Sequence, residues 1–289
     1  MLRLGLQLAD LVFSALPARI AYAVADLGGD LWYAAAPARR RLVAANLARV
    51  CAATERATSG RAFTKLVRTS FRNHARYYVE LLRVPHYPLD RISEHVDVPG
   101  WPSLDAALRG RPGILVTCHL GNFEPFGSFA ASHGYRPLAP IEEIEPRELF
   151  EFLAARRGGS NVDLVPLRES TRPLIRRLRE GGLVGIIGDR DLAGDGRSVV
   201  MFGHPTSMPI GPAWLAVSHR ATLIVGRCLR IGPDRFRAEG EQVEVPATGD
   251  RRADTAALVE RIAARFERDI GEAPEQWWGA FQPFWPDLT

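Results

Sequence analysis

Apolar and polar positions divide the chain into two unlike parts. Up to residue 85 the apolar residues recur at helical spacing. The stretch 1–17 is rich in Leu, Val and Phe, and its one narrow polar stripe is Arg3, Gln7, Asp10 and Ser14. Further on, Phe63, Val67, Ser70, His74, Tyr77 and Leu81 run along one helix face, and Arg61, Lys65, Arg68, Arg72 and Arg76 along another. From about residue 90 short apolar runs alternate with helical segments. The runs Gly113–Thr117, Arg136–Ile141, Val162–Leu167, Leu183–Gly188, Thr222–Arg230 and Phe236–Val245 predict strands. Helices are expected over Ser103–Arg109, Asn122–His133, Pro146–Arg157, Ser170–Glu180, Pro212–Ser218 and Asp254–Asp269. The alternation predicts an α/β fold with a mainly parallel central sheet flanked by helices. No low-complexity linker or repeat interrupts it, so residues 1–289 read as one domain, with 1–85 a helical region inside it.

Composition adds a charge argument. Of 37 basic residues only Lys65 is a lysine, so the cations are permanent, planar guanidinium groups suited to phosphate. The all-basic stripe from Arg61 to Arg76 repels itself, and an anionic membrane surface is its expected partner. Nucleic acid is not expected, because no binding motif is present and aromatics do not interleave with the stripe. Cys51, Cys118 and Cys228 are odd in number and scattered, which argues against a disulfide framework or a zinc site and for a reducing compartment. No metal is expected. The apolar N-terminus has a single basic residue, Arg3, and no clear cleavage pattern, so a signal peptide is not expected. Asp10, Arg19, Asp26 and Asp30 interrupt every stretch long enough to span a bilayer. The first helix therefore either lies in a membrane interface or packs on the domain core.

The candidate chemistry begins at His119-Leu120-Gly121-Asn122-Phe123-Glu124, directly after a strand. Histidine is the side chain best suited to take a proton near neutral pH. A carboxylate five residues later can reach it only if His119 lies in the loop and Glu124 in the first turns of the next helix. Gly121 permits close backbone approach, Asn122 is an N-cap candidate, and their N–H groups can hold an oxyanion or phosphate. Asp189-Arg190-Asp191 end another strand and offer either carboxylate behind the histidine. Glu142 ends a third strand, and Arg156 and Arg157 end a helix where a phosphate can be gripped. The Gly/Pro-rich stretch 202–212, with Gly203 and Thr206, is expected to form a loop that lines an acyl pocket. No Gly-X-Ser-X-Gly nucleophile elbow occurs, so the reacting hydroxyl is expected from a substrate.

These segments resemble the bacterial lipid acyltransferases, which include the late lipid A acyltransferases and the phosphatidylinositol mannoside acyltransferases. The resemblance rests on Asn46-Leu47, Arg76-Tyr77-Tyr78-Val79-Glu80, the His-X4-acid motif at His119 and Glu124, Asp189-Arg190-Asp191-Leu192, Phe202-Gly203 and Pro274-Glu275-Gln276-Trp277. Asp-Arg-Asp-Leu and the Trp-rich end are closer to the mannoside branch. The resemblance implies His119 as general base, Glu124 as its partner, an acid at Asp189 or Asp191 assisting it, and Glu142 with Arg156 or Arg157 in a substrate groove. It also implies acyl-CoA or acyl carrier protein as donor, no resident cofactor, a membrane glycolipid acceptor, and action at the cytoplasmic face of the inner membrane. A lipid A-type late acyltransferase is an alternative. So are a non-catalytic lipid-binding protein, against which the intact His119/Glu124 pair speaks, and a thioester hydrolase, in which water replaces the alcohol.

Overall fold

The N-terminal periodicity folds as four helices, α1 (Leu2–Ala15), α2 (Ala18–Ala35), α3 (Pro37–Ala53) and α4 (Gly60–Arg83). The computed structural model describes residues 2–158 and 162–288. Beyond α4 the order is β1 (Val96–Asp97), α5 (Trp101–Leu108), β2 (Gly113–Thr117), α6 (Glu124–Ser132), β3 (Leu138–Ile141), α7 (Arg147–Gly158) and β4 (Asp163–Pro166). Then come α8 (Thr171–Arg179), β5 (Leu183–Ile187), β6 (Arg197–Met201), β7 (His204–Met208), α9 (Gly211–His219), β8 (Thr222–Gly232), β9 (Arg235–Val243) and α10 (Arg251–Glu272).

Seven strands form one sheet in the order β1-β9-β8-β2-β5-β3-β4. Every neighbouring pair is parallel except β8 and β9, which form an antiparallel hairpin. Alternation along β2 splits the core. Ile114 and Val116 face the large cluster built with α8, α9 and α10, while Leu115 faces a second cluster with Leu104, Phe129 and Ile224. His119 therefore emerges at the carboxyl end of a central strand, where ligands of open α/β sheets bind.

One expected loop is a correction. Residues 197–208 form the two-stranded antiparallel hairpin of β6 and β7, turning at Phe202-Gly203, and α9 follows. Gly203 takes φ +76 in that turn, beside Phe202 at φ 52, the positive pair that a two-residue hairpin demands. Pro205 obscured the strand in the sequence, and a two-stranded hairpin tolerates it because its outer edge is unpaired.

The basic stripe is a second correction. Arg68 and Arg72 both bind Asp30, and Arg76 binds Asp26. The two guanidinium groups hold the Asp30 carboxyl well below the usual carboxylate range. Three of the five cations thus seam α4 to α2 and do not form a free positive face. Asp10 of α1 also turns inward, accepting two hydrogen bonds of 3.0 Å from Arg156 of α7, whereas Arg3 and Gln7 of the same stripe stay exposed. Leu4, Leu8 and Leu11 of α1, and Ile20, Val24, Leu27 and Leu31 of α2, stay exposed. No helix among the described residues is long and apolar enough to cross a membrane.

Candidate active site

The turn between β2 and α6 is tied down on every side. Gly121 adopts φ +64, and a Cβ there would collide with the Cys228 carbonyl of β8; only glycine fits. Trp278 of the C-terminal segment donates from its backbone to the His119 carbonyl at 2.9 Å and from its indole to the Gly121 carbonyl at 3.2 Å. Its ring meets the His119 imidazole edge to face, 4.4 Å between centroids. The paired tryptophans Trp277-Trp278 were visible as a motif, but nothing in their spacing places one of them on the histidine.

The carboxylate at the histidine is Asp189. His119 Nδ1 lies 2.5 Å from Asp189 Oδ1, and the His119 backbone N–H donates to Oδ2 at 3.0 Å. The Asp189 side chain is fully buried and that of His119 is 13% exposed. Burial alone would raise the Asp189 carboxyl; the His119 charge and hydrogen bonds more than offset it and hold it below its ordinary value. A neutral imidazole whose Nδ1–H donates a hydrogen bond to a carboxylate keeps an Nε2 lone pair available as a base.

Glu124 stands elsewhere. Its carboxylate forms an ion pair of 2.9 Å with Arg157 Nε, and Arg157 also donates to the Tyr77 hydroxyl at 2.9 Å. No hydrogen bond joins Glu124 to His119; α6 begins at Glu124 itself and directs the side chain toward α7. Burial raises the Glu124 carboxyl, and Arg157 opposes that rise. Asp191 is likewise away from the histidine. It accepts from Ser207 Oγ at 2.6 Å and from the amides of Gly194 and Gly196, closing the loop after β5 onto β7.

The remaining expected residues divide in the same way. Arg156 is committed to Asp10 of α1. Glu142 faces Arg190 loosely at 3.6 Å, both side chains partly exposed at strand ends. Thr206 is buried, with its hydroxyl donating to the Phe284 carbonyl at 2.6 Å. Neither Gly203 nor Thr206 borders the apolar cavity that lies beside the His119 turn. The amides of Gly121 and Asn122 are already spent on the carbonyls of Gln276 and Cys228, at 3.0 and 2.8 Å. They cannot also hold an oxyanion. From His119 to Glu124, only the Phe123 amide has no acceptor within the described chain.

Beside this turn lies an apolar cavity of about 130 Å³. Thr117, Glu124 and Arg157 bring polar groups to its lining, and Leu104, Leu115, Phe123, Phe126 and Ile224 apolar ones. Gly185, Gly226 and Gly240 border it from three strands; of these, Gly185 leaves open space where a side chain would stand, whereas a Cβ at Gly226 would strike the Glu239 carbonyl. No group of three or more His, Cys, Asp or Glu among the described residues has metal-binding geometry.

A His–Asp pair thus stands at the ends of two neighbouring parallel strands, next to a turn that lines an apolar cavity, and comparison gives the class of protein. Residues 5–285 match the bacterial lipid A biosynthesis acyltransferase family, and the chain belongs to it. Among its relatives is a phosphatidylinositol mannoside acyltransferase of Mycobacterium tuberculosis (strain ATCC 25618 / H37Rv), 32% identical over 227 residues. That match covers 76% of this chain and 70% of the relative. A protein of the same name from Mycolicibacterium smegmatis is 30% identical over 230 residues, covering 76% of this chain and 72% of the relative.

Proposed function

We propose that the protein moves a fatty acyl group from an acyl thioester, acyl-CoA or acyl carrier protein, to a hydroxyl of a membrane glycolipid of the phosphatidylinositol mannoside class. His119 is the general base. The observation that carries this reading is the His119–Asp189 pair at the carboxyl ends of β2 and β5, in the same strand and turn whose Thr117, Phe123 and Glu124 line the apolar cavity. His119 Nε2 takes the acceptor proton as its oxygen attacks the thioester carbonyl. The Phe123 amide and the Arg157 guanidinium are assigned to the developing oxyanion. Collapse breaks the C–S bond, and the proton on His119 passes to the leaving thiolate. Glu124 holds Arg157 in place, and Glu142 with Arg190 meets the acceptor headgroup.

The cavity would hold the acyl chain, and Gly185 tests that. A Cβ at 185 would meet nothing closer than Pro137 Cβ at 4.0 Å, so a larger side chain grows into the cavity. Gly185→Leu is expected to slow turnover of long-chain donors by about ten-fold or more while sparing short-chain donors. Chain-length profiles of kcat/KM check this; an equal loss at every length would contradict the assignment.

We also propose that the protein sits on the membrane through the exposed apolar faces of α1 and α2, peripherally, at the cytoplasmic face of the inner membrane. Pairing of Arg68 and Arg72 with Asp30, and of Arg76 with Asp26, removes most of the positive charge of the seam and supports insertion over electrostatic capture. A fully buried leucine contributes about 1.5–3 kcal/mol. Leu4→Gln, Leu8→Gln and Leu11→Gln together are thus expected to weaken vesicle binding at least about a hundred-fold. Co-sedimentation at low and high salt measures it; binding that vanishes with salt and ignores the triple variant would restore the electrostatic reading.

A further inference from the structure

A buried polar group behind the turn is not used by the chemistry above. Glu80 of α4 is completely shielded from solvent and pairs with Arg230 of β8, whose Nη2 lies 2.8 Å from Glu80 Oε2. Arg230 Nε reaches the other carboxylate oxygen. Tyr22 of α2 donates to that oxygen at 2.7 Å. Arg230 Nη1 donates to Asn73, and its backbone exchanges two hydrogen bonds with the Gln276 side chain.

Buried ion pairs are weak stabilisers, because apolar residues of similar volume serve a core as well or better. What a carboxylate does here and a leucine could not is hold an amide. Asn122 Nδ2 donates to Glu80 Oε2 at 3.0 Å, which turns Asn122 Oδ1 toward the Glu124 backbone N–H, also 3.0 Å away. The Asn122 amide therefore has one permitted orientation. Its Oδ1 captures the first N–H of α6, the helix that carries Glu124 and through it Arg157. Gln276 closes the circuit, since its carbonyl receives the Gly121 N–H.

We propose that Glu80, held by Arg230, is a positioning residue that acts through Asn122 to set the turn bearing His119 and Glu124. This rests on the assignment of His119 as base. The role is positional because neither Glu80 nor Asn122 contacts His119, and preorganisation of a reacting group is sensitive to displacements of about 1 Å.

The test compares kcat, KM for acyl-CoA and Tm across Asn122→Ala, Glu80→Gln, their combination, Tyr22→Phe and His119→Ala, in full-length protein. Asn122→Ala leaves the Glu80–Arg230 pair intact, so it remains informative if Glu80→Gln does not fold. The expected result is a fall in kcat of about a hundred-fold for Asn122→Ala, with KM within about two-fold. Glu80→Gln falls similarly, and the double variant falls no further than the worse single one. Tyr22→Phe loses Tm without losing kcat, because its bond is to the oxygen that Asn122 does not use. Wild-type kcat in Asn122→Ala beside an inactive His119→Ala would overturn the positioning role alone. Losses in kcat that add in the double variant and track Tm would do the same. An active His119→Ala protein would overturn the base assignment instead.

Discussion

His119→Ala is expected to slow acyl transfer by about two to four orders of magnitude, the range that a positioned general base supplies. The side chain contributes little to the core: it is partly exposed and touches Asp189 and the edge of Trp278. Its removal does strand a buried carboxylate, because Asp189 keeps only the His119 backbone N–H of its two partners there. Stability should therefore fall as well, by the amount a lost charged hydrogen bond implies, about 1–3 kcal/mol, and Tm with it. Circular dichroism at the assay temperature separates the two effects. A folded variant with near wild-type turnover would remove His119 from the mechanism.

Asp189→Asn should be nearly as damaging, although it is almost isosteric. The carboxylate accepts twice from His119, once from the ring and once from the backbone. An amide has one oxygen and one NH2. With its oxygen on the backbone N–H, its NH2 faces Nδ1 and drives the imidazole proton to Nε2, abolishing the base. With the amide reversed, the NH2 opposes the backbone N–H. Neutralising the comparable carboxylate of a catalytic triad costs roughly four orders of magnitude in kcat, and a loss of that order is expected here. Stability should carry a pH signature. The Asp189 carboxyl titrates below its ordinary 3.8 in the folded protein, so its stabilisation is complete above the unfolded value and fades as pH falls through the folded one. The Tm gap between wild type and Asp189→Asn should be full at neutral pH and close in acid. A gap that is independent of pH would mean the carboxylate is not ionised against His119.

The sheet was legible because buried strands leave runs such as Ile114-Leu115-Val116 and amphipathic helices leave a period of 3.6. The histidine was legible for the same reason, as a polar residue ending such a run. Its partner was less so. Glu124 is five residues away in sequence and Asp189 seventy, yet parallel pairing of β2 with β5, Thr117 opposite Ile187, brings Asp189 to the ring. Strand order in a parallel sheet is a long-range property that local spacing does not encode. The same limit hid the acceptors of the Gly121 and Asn122 amides, which come from β8 and the C-terminal segment. The arginine face of α4 misled because its acids, Asp26 and Asp30, lie on another helix. Glu80 was visible only as part of a motif; its burial follows from packing α4 beneath the turn.

If the acceptor oxygen attacks the thioester directly, with no acyl-enzyme, thiol release must wait for the acceptor. All three cysteines are buried, and burial pushes the thiols of Cys118 and Cys228 up, away from the thiolate a nucleophile needs. Rapid mixing of the protein with acyl-CoA, followed by a thiol reagent, measures the point. Without glycolipid, release should be absent; with glycolipid, one thiol should appear for each acyl group recovered on the lipid. A stoichiometric burst of thiol before the glycolipid is added, or steady release without it, would contradict direct transfer through His119.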